Sequence, residues 1–254
     1  MAETIRCSAC GTTVSAGHKF CGGCGALLNP EEGVGTTQRP RYALRLVQED
    51  GSDGELYELS EKGALIGRTE GEIRFPHDST VSPMHAALKF VEDRLVIRDL
   101  KSCNGTFVRI ASDEILDDGD VFQCGKQLLR FEKMSWLKEE THEGQTSPKF
   151  LSTPLRAWRY KLVQLLATHD HGQVYCSVNP STSIGREGCD LNFPVDRFIS
   201  GQHSLVEQRG TLFFLQDLDS RNGTFVKIKG ERNLTEGDSL FIGRQLLRIE
   251  LADS

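Results

Sequence analysis

Apolar residues in this chain come in short runs broken by polar punctuation. Ala43–Val47, Ala64–Ile66, Ala86–Val91, Leu95–Ile97 and Leu128–Phe131 are separated every 8 to 15 residues by Gly, Asp, Asn or Pro. Farther on the same picture returns in Ser204–Glu207, Leu212–Leu215 and Leu246–Leu251. No stretch of 12 or more residues holds a clean helical period. The pattern predicts an all-β chain whose strands pack as sandwiches of two antiparallel sheets.

The two sets of strands are copies of each other. At an offset of 118 residues, Arg41–Glu132 and Arg159–Glu250 share 31 identities over 92 ungapped positions. Gly67-Arg68 meets Gly185-Arg186, Ser82 meets Ser200, His85 meets His203, and Asn104–Val108 (NGTFV) meets Asn222–Val226. Asp99-Leu100 meets Asp217-Leu218, and Gln127–Arg130 (QLLR) meets Gln245–Arg248. A period this long has the size of a domain and not of a solenoid unit. The expected organisation is therefore a head at 1–28, a linker at 29–40, one sandwich at 41–135, a linker at 136–155 and a second sandwich at 156–254.

Composition narrows the function classes. With 38% hydrophobic and 26% charged residues over 254 positions the chain is globular in character. It has no apolar run near the roughly 20 residues of a membrane span. Met1–Arg6 lacks the basic flank and apolar core of a secretory signal, so a cytoplasmic protein is expected. A net charge of -6 is the wrong sign for a chain whose main work is neutralising a phosphate backbone. That charge is uneven: 41–135 carries 13 basic and 18 acidic residues, whereas 156–254 carries 12 of each.

Four of the eight cysteines (Cys7, Cys10, Cys21, Cys24) fall in the first 24 residues as two C-x2-C-G knuckles. Such a knuckle turns two thiolates and nearby N–H groups toward one ion, and two knuckles complete a tetrahedral S4 site. A segment this short cannot bury enough apolar surface to fold alone, and zinc supplies about 10 to 16 kcal/mol in small zinc peptides. One structural Zn2+ is expected; iron shares the ligand set. The segment resembles the short zinc ribbons of bacterial regulatory proteins, with Phe20 and Leu27-Leu28 as packing residues. Cys103, Cys124, Cys176 and Cys189 are expected to be small, partly buried apolar residues.

The identities between the copies concentrate in polar loop positions. Gly-Arg, Ser-x-x-His and Ser-x-Asn-Gly-Thr recur at matching spacing, and an Arg, a hydroxyl and an Asn amide on loops suit an anionic ligand on an extended peptide. Both copies resemble forkhead-associated (FHA) domains, over Arg41–Glu132 and Tyr160–Leu251. The resemblance implies an 11-stranded sandwich that binds phosphothreonine peptides through the loops at one end. It implies phosphate contacts from Arg68 and Arg186, a hydroxyl and the loop N–H from Ser82 and Ser200, and a hold on the peptide main chain from Asn104 and Asn222. His85 and His203 would brace the loops. Gly67, Gly105, Gly185 and Gly223 read as turn residues needing permissive backbone angles, beside Thr106 and Thr224 in the same motif. Before the Asn, the first copy has Cys103 and the second has Arg221, so the second site is expected to bind more tightly.

The expected function is a non-enzymatic adaptor that reads phosphothreonine twice, with bacterial Ser/Thr kinases and their substrates as partners. Thr36 and Thr37 lie in a tail that could be phosphorylated and fold back into a site of the same chain; Thr146 and Thr153 lie in the second linker. An alternative makes the ribbon an effector end touching nucleic acid or transcription machinery; its few basic residues, Arg6 and Lys19, count against it. An enzyme finds no phosphate-cradling loop, kinase signature or activated nucleophile to build on.

Overall fold

A computed structural model describes residues 4–6, 10–15, 20–24, 41–134, 157–167 and 170–252, and its regular structure there is all β-strand. The chain divides into two compact units, 1–40 and 41–254. In the first, β1 (Thr4–Arg6) pairs antiparallel with β2 (Thr13–Ser15). Among the described residues no helix is long and apolar enough to cross a membrane. Cys7, Thr36, Thr37, Thr146 and Thr153 lie outside the described residues.

In the second unit each copy supplies ten strands where the family resemblance implied eleven. The first copy gives β3 (Tyr42–Val47), β4 (Asp53–Glu58), β5 (Ala64–Gly67), β6 (Ile73–Arg74), β7 (Ala86–Val91), β8 (Arg94–Asp99), β9 (Thr106–Arg109), β10 (Glu114–Leu116), β11 (Val121–Cys124) and β12 (Gln127–Lys133). The second gives β13 (Tyr160–Leu165), β14 (His171–Ser177), β15 (Ser181–Gly185), β16 (Leu191–Asn192), β17 (Ser204–Arg209), β18 (Leu212–Asp217), β19 (Thr224–Lys227), β20 (Glu231–Leu234), β21 (Ser239–Ile242) and β22 (Gln245–Leu251). Burial alternates with period two along strands such as β12 and β22, which puts one face of each on a core.

The sandwiches do not coincide with the sequence copies. One five-stranded sheet runs β20-β8-β7-β5-β6 and the other β10-β18-β17-β15-β16. The outer sheets merge into one of ten strands, β14-β13-β12-β11-β19-β9-β21-β22-β3-β4. Each sandwich thus takes its first seven strands from one copy and its last three from the other. The cores follow suit. Leu44, Ile66, Leu88 and Ile97 of the first copy pack with Leu234, Leu240, Leu247 and Ile249 of the second. Leu116, Phe122, Leu129 and Phe131 pack with Tyr160, Leu162, Val206 and Leu215.

The exchange turns on β9 and β19, which pair antiparallel with Val108 opposite Val226, two equivalent positions. The local sequence explains why the chain crosses here. Each strand is followed by an isoleucine and no turn-forming residue, so the backbone stays extended for one more step. Ile110 N–H donates to Thr224 O at 2.9 Å and Ile228 N–H to Thr106 O at 3.0 Å. Both isoleucine side chains are then buried in the opposite core. Polar contacts fix the exchanged strands. Asp78 accepts from Arg244 N at 2.9 Å and Gln245 Nε2 at 2.7 Å, and its equivalent Asp196 accepts from Lys126 N at 2.8 Å and Gln127 Nε2 at 2.7 Å. Burial alone would raise the Asp78 carboxyl, but hydrogen bonds from Thr80, Gln245 and Arg244 hold it below its ordinary value. Arg232 meets Glu114 through two bonds of 2.7 and 2.9 Å, again between equivalent positions.

Candidate functional site

The Gly-Arg, Ser-x-x-His and Asn-Gly segments converge in each copy, and main-chain bonds set the convergence. Arg68 N–H donates to Ser82 O at 2.9 Å, and Arg186 N–H to Ser200 O at 2.8 Å. A Cβ on Gly67 would collide with the Pro83 carbonyl, and one on Gly185 with the Gly201 carbonyl. These two glycines are therefore required for close approach and not, as expected from sequence, for unusual backbone angles. Gly105 and Gly223 do need them, with φ of 85° and 83°.

Side chains lock the loops together. Ser82 Oγ accepts from Cys103 N at 3.0 Å, and Asn104 Nδ2 donates to Thr80 O at 2.7 Å. The second copy repeats this with Ser200 Oγ from Arg221 N at 3.1 Å and Asn222 Nδ2 to Phe198 O at 2.7 Å. Both asparagines are exposed, and each serine retains its hydroxyl proton for an incoming acceptor. The Ser82 and Ser200 N–H groups, expected to serve the ligand, are instead engaged within the protein. They donate to Nδ1 of His85 at 3.1 Å and of His203 at 3.0 Å.

With Nδ1 accepting, Nε2 of each histidine carries the proton and donates to Gly105 O and Gly223 O, both at 3.1 Å. Behind them stands a pair that sequence reasoning passed over, Asp99 and Asp217. Asp99 accepts from Ser102 N, Ser102 Oγ and Thr106 Oγ1 at 2.9, 2.7 and 2.8 Å, and Asp217 does the same with Ser220 and Thr224. The Asp-Leu identity between the copies was its only signal. Thr106 and Thr224 are fully buried and belong to this support.

The cations are left free. Among the described residues, the side chains of Arg68, Arg186 and Arg221 have no hydrogen-bond or ion-pair partner. Uncommitted guanidinium groups, one in the first copy and two in the second, can with a hydroxyl donor and an exposed amide receive a multiply charged anion carried on an extended chain. Against the expectation of partial burial, Cys103 in the first loop and Cys176 are exposed, whereas Cys189 is half-buried and Cys124, delivered by the exchange, is buried beside Ser204 at 3.1 Å. Burial pushes the Cys124 thiol up to about 12.

The two histidines give the fold a pH dependence. Both are fully buried, and burial holds each below the ordinary imidazole value despite the carbonyl and aspartates that favour the proton. Above pH of about 6.5 they are neutral in folded and unfolded chains alike. As pH falls through that value the unfolded chain binds protons that the folded one refuses, so stability drops by up to about 1.4 kcal/mol per pH unit for each histidine. The loss ends once the lowered folded value is reached. Urea midpoints are expected to fall steadily from pH 7 to pH 5; a flat profile would contradict the buried neutral state.

A separate cluster sits in the N-terminal unit. The sulfurs of Cys10, Cys21 and Cys24 lie within 4.8 Å of one another, with 3.5 Å between Cys10 and Cys21. Tetrahedral Zn–S bonds of about 2.3 Å give sulfur separations of about 3.8 Å, so the spacing fits such an ion. Gly23 N–H points at Cys21 Sγ from 3.4 Å. Hydrogen bonding to Thr12, first through its hydroxyl, lowers the Cys10 thiol to about 6, favouring the thiolate that a metal requires.

Comparison with known proteins finds a family resemblance in the repeated unit. The family model described as FHA domain matches residues 64–125 and 182–243. Each match starts in β5 or β15 and ends past β11 or β21, so it spans the crossing point in both copies. Solved structures similar to the chain include the FHA domain of CT664 from Chlamydia trachomatis, at 12% identity and TM-score 0.34, covering 84% of this chain and 99% of that one. A structure from a study of phosphothreonine-dependent FHA domain interactions is similar at 28% identity and TM-score 0.21, covering 33% and 88%. The FhaA FHA domain, solved with the intracellular domain of Rv3910, is similar at 24% identity and TM-score 0.19, covering 31% and 89%. A search of the curated proteins finds no match.

Proposed function

We propose that this chain, which carries two FHA domains, is a non-enzymatic adaptor that binds phosphothreonine peptides at two sites. The observation that carries the reading is the same in both copies. An unpartnered arginine, Arg68 or Arg186, stands beside a serine whose oxygen is held by a neighbouring N–H and whose proton is free to donate. An exposed asparagine adjoins them. A phosphothreonine brings about -1.5 to -2 charges and three acceptor oxygens, which such a set satisfies without acid-base chemistry. Ser/Thr kinases and their products are the partners this ligand implies. Two sites on one chain raise avidity for a partner phosphorylated twice. Phosphorylation of Thr36, Thr37, Thr146 or Thr153 would supply an internal competitor. The cysteine cluster holds one structural zinc ion in this reading, and the protein works in the cytoplasm.

The test is a phosphothreonine peptide library screened on the full-length protein, Arg68→Ala and Arg186→Ala. Hydrogen bonds to charged groups contribute about 1.5 to 3 kcal/mol, so each variant should lose its own site by about tenfold to a hundredfold. The Arg186→Ala variant should lose the tighter one, since Arg221 adds a cation there. Equal binding of phosphorylated and unphosphorylated peptides would overturn the reading.

A further inference from the structure

The crossing of β9 and β19 carries charge as well as backbone. We propose that each phosphothreonine site is completed by a cation from the other copy, Arg109 at the Asn222-Gly223 turn and Lys227 at the Asn104-Gly105 turn. The inference rests on the phosphothreonine reading above and adds to it a residue that no motif of the site contains.

The register sets the geometry. Arg109 stands opposite Phe225 and Lys227 opposite Phe107, so each strand leads away from its own Asn-Gly turn and toward the other. A Cβ built on Gly223 would lie 2.8 Å from Cδ and from Cζ of Arg109. One built on Gly105 would lie 2.8 Å from Cδ and from Nζ of Lys227. The charged heads themselves, and not only their stems, therefore rest on the turns. Any side chain at either glycine would displace them. The electrostatics agree: the charge of Arg109 reaches His203, whose Nε2 donates to Gly223 O, and that of Lys227 reaches His85.

Neither cation is otherwise engaged. Among the described residues, the side chains of Arg109 and Lys227 have no hydrogen-bond or ion-pair partner. Four aspartates line the cleft beside Arg109. Asp113 is held by Arg209 and Gln216, Asp217 by Ser220 and Thr224, and Asp238 by Thr235, while Asp219 is exposed. An unpaired cation resting on the Asn-Gly turn of a site with a free guanidinium of its own adds positive charge for an arriving anion. A doubly charged phosphate with its peptide is such an anion. The second site gains a guanidinium fork and the first only a point charge, which widens the expected difference in affinity.

The experiment uses the full-length protein with one site silenced at a time and phosphothreonine peptides selected in the screen above. Arg68→Ala reports the second site and Arg186→Ala the first. Arg109→Gln is expected to weaken binding about fivefold to twentyfold in the Arg68→Ala background and to leave the Arg186→Ala background unchanged. Lys227→Gln is expected to do the reverse. Arg109→Lys should restore most of the loss and Arg109→Gln should flatten the salt dependence, neither of which a purely structural role would produce. If each variant instead weakens the site of its own copy, or neither weakens any site, the inference falls while phosphothreonine binding stands. If the wild type does not prefer phosphorylated peptides, both fall together.

Discussion

Deleting residues 231–254 should open the sandwich built on the first copy and leave the sandwich built on the second intact. The deletion removes β20, β21 and β22, the strands that complete the sheets of β3–β9. With them go Leu234, Leu240, Ile242, Leu247 and Ile249, all at most 2% exposed in that core. Burying a large aliphatic side chain contributes about 1.5 to 3 kcal/mol, so five of them amount to about 7 to 15 kcal/mol. That equals the whole stability of an ordinary domain, about 5 to 15 kcal/mol. The second sandwich loses no strand, only the Arg232 partner of Glu114, because its last three strands are β10–β12, upstream of the cut. Hydrogen exchange resolved along the chain is the measurement. Loss of protection across Tyr42–Asp99 with retention across Tyr160–Asp217 is the expected result. Loss confined to the second copy would mean that each copy closes on its own strands.

This exchange is the part of the fold that sequence reasoning did not reach, and the reason is physical. Alternation along Ala86–Val91 or Leu128–Phe131 says which face of a strand is buried, and the structure has strands at both places. It does not say which partner buries that face. Here two partners of nearly the same sequence compete, since Gln127–Arg130 and Gln245–Arg248 present the same side chains to either core. One clue did lie in the chain. Glu114 and Arg232 are equivalent positions of opposite charge, as suits residues that meet across a pseudo-twofold axis. The site was more legible because it is built from short loops whose polar residues follow one another closely in sequence. Its supports were less so: Asp99, the use of the Ser82 N–H and the cross-copy position of Arg109 depend on contacts that spacing does not reveal. Gly67 was misread for the same reason, since the carbonyl it avoids belongs to Pro83, across a loop.

Replacing Cys21 with Ser should abolish metal binding and melt the N-terminal unit without moving the unfolding transition of 41–254. The described residues of 4–24 form two strands of three residues each, and Phe20, their aromatic candidate for packing, is 59% exposed. Among the described residues of this unit, no cluster of buried apolar side chains is present to fold around. Cys21 is the exception at 3% exposure, with Cys10 Sγ and the Gly23 N–H beside it, which makes it, among the described cysteines, the proposed ligand with the least tolerance for change. An ion that contributes about 10 to 16 kcal/mol in zinc-finger peptides would supply nearly all of the folding free energy of such a segment. Losing one thiolate of the set removes most of it, because a serine hydroxyl at neutral pH does not ionise. The unit 41–254 has two apolar cores of its own and does not draw on that energy. Metal content per chain, read together with exchange protection of Thr4–Arg6 and Thr13–Ser15, checks the expectation. One ion in the wild type and none in Cys21→Ser, with β1–β2 protection lost, is the expected outcome. A wild type purified without metal, or a variant in which β1 and β2 stay protected, would show that the hairpin has another source of stability.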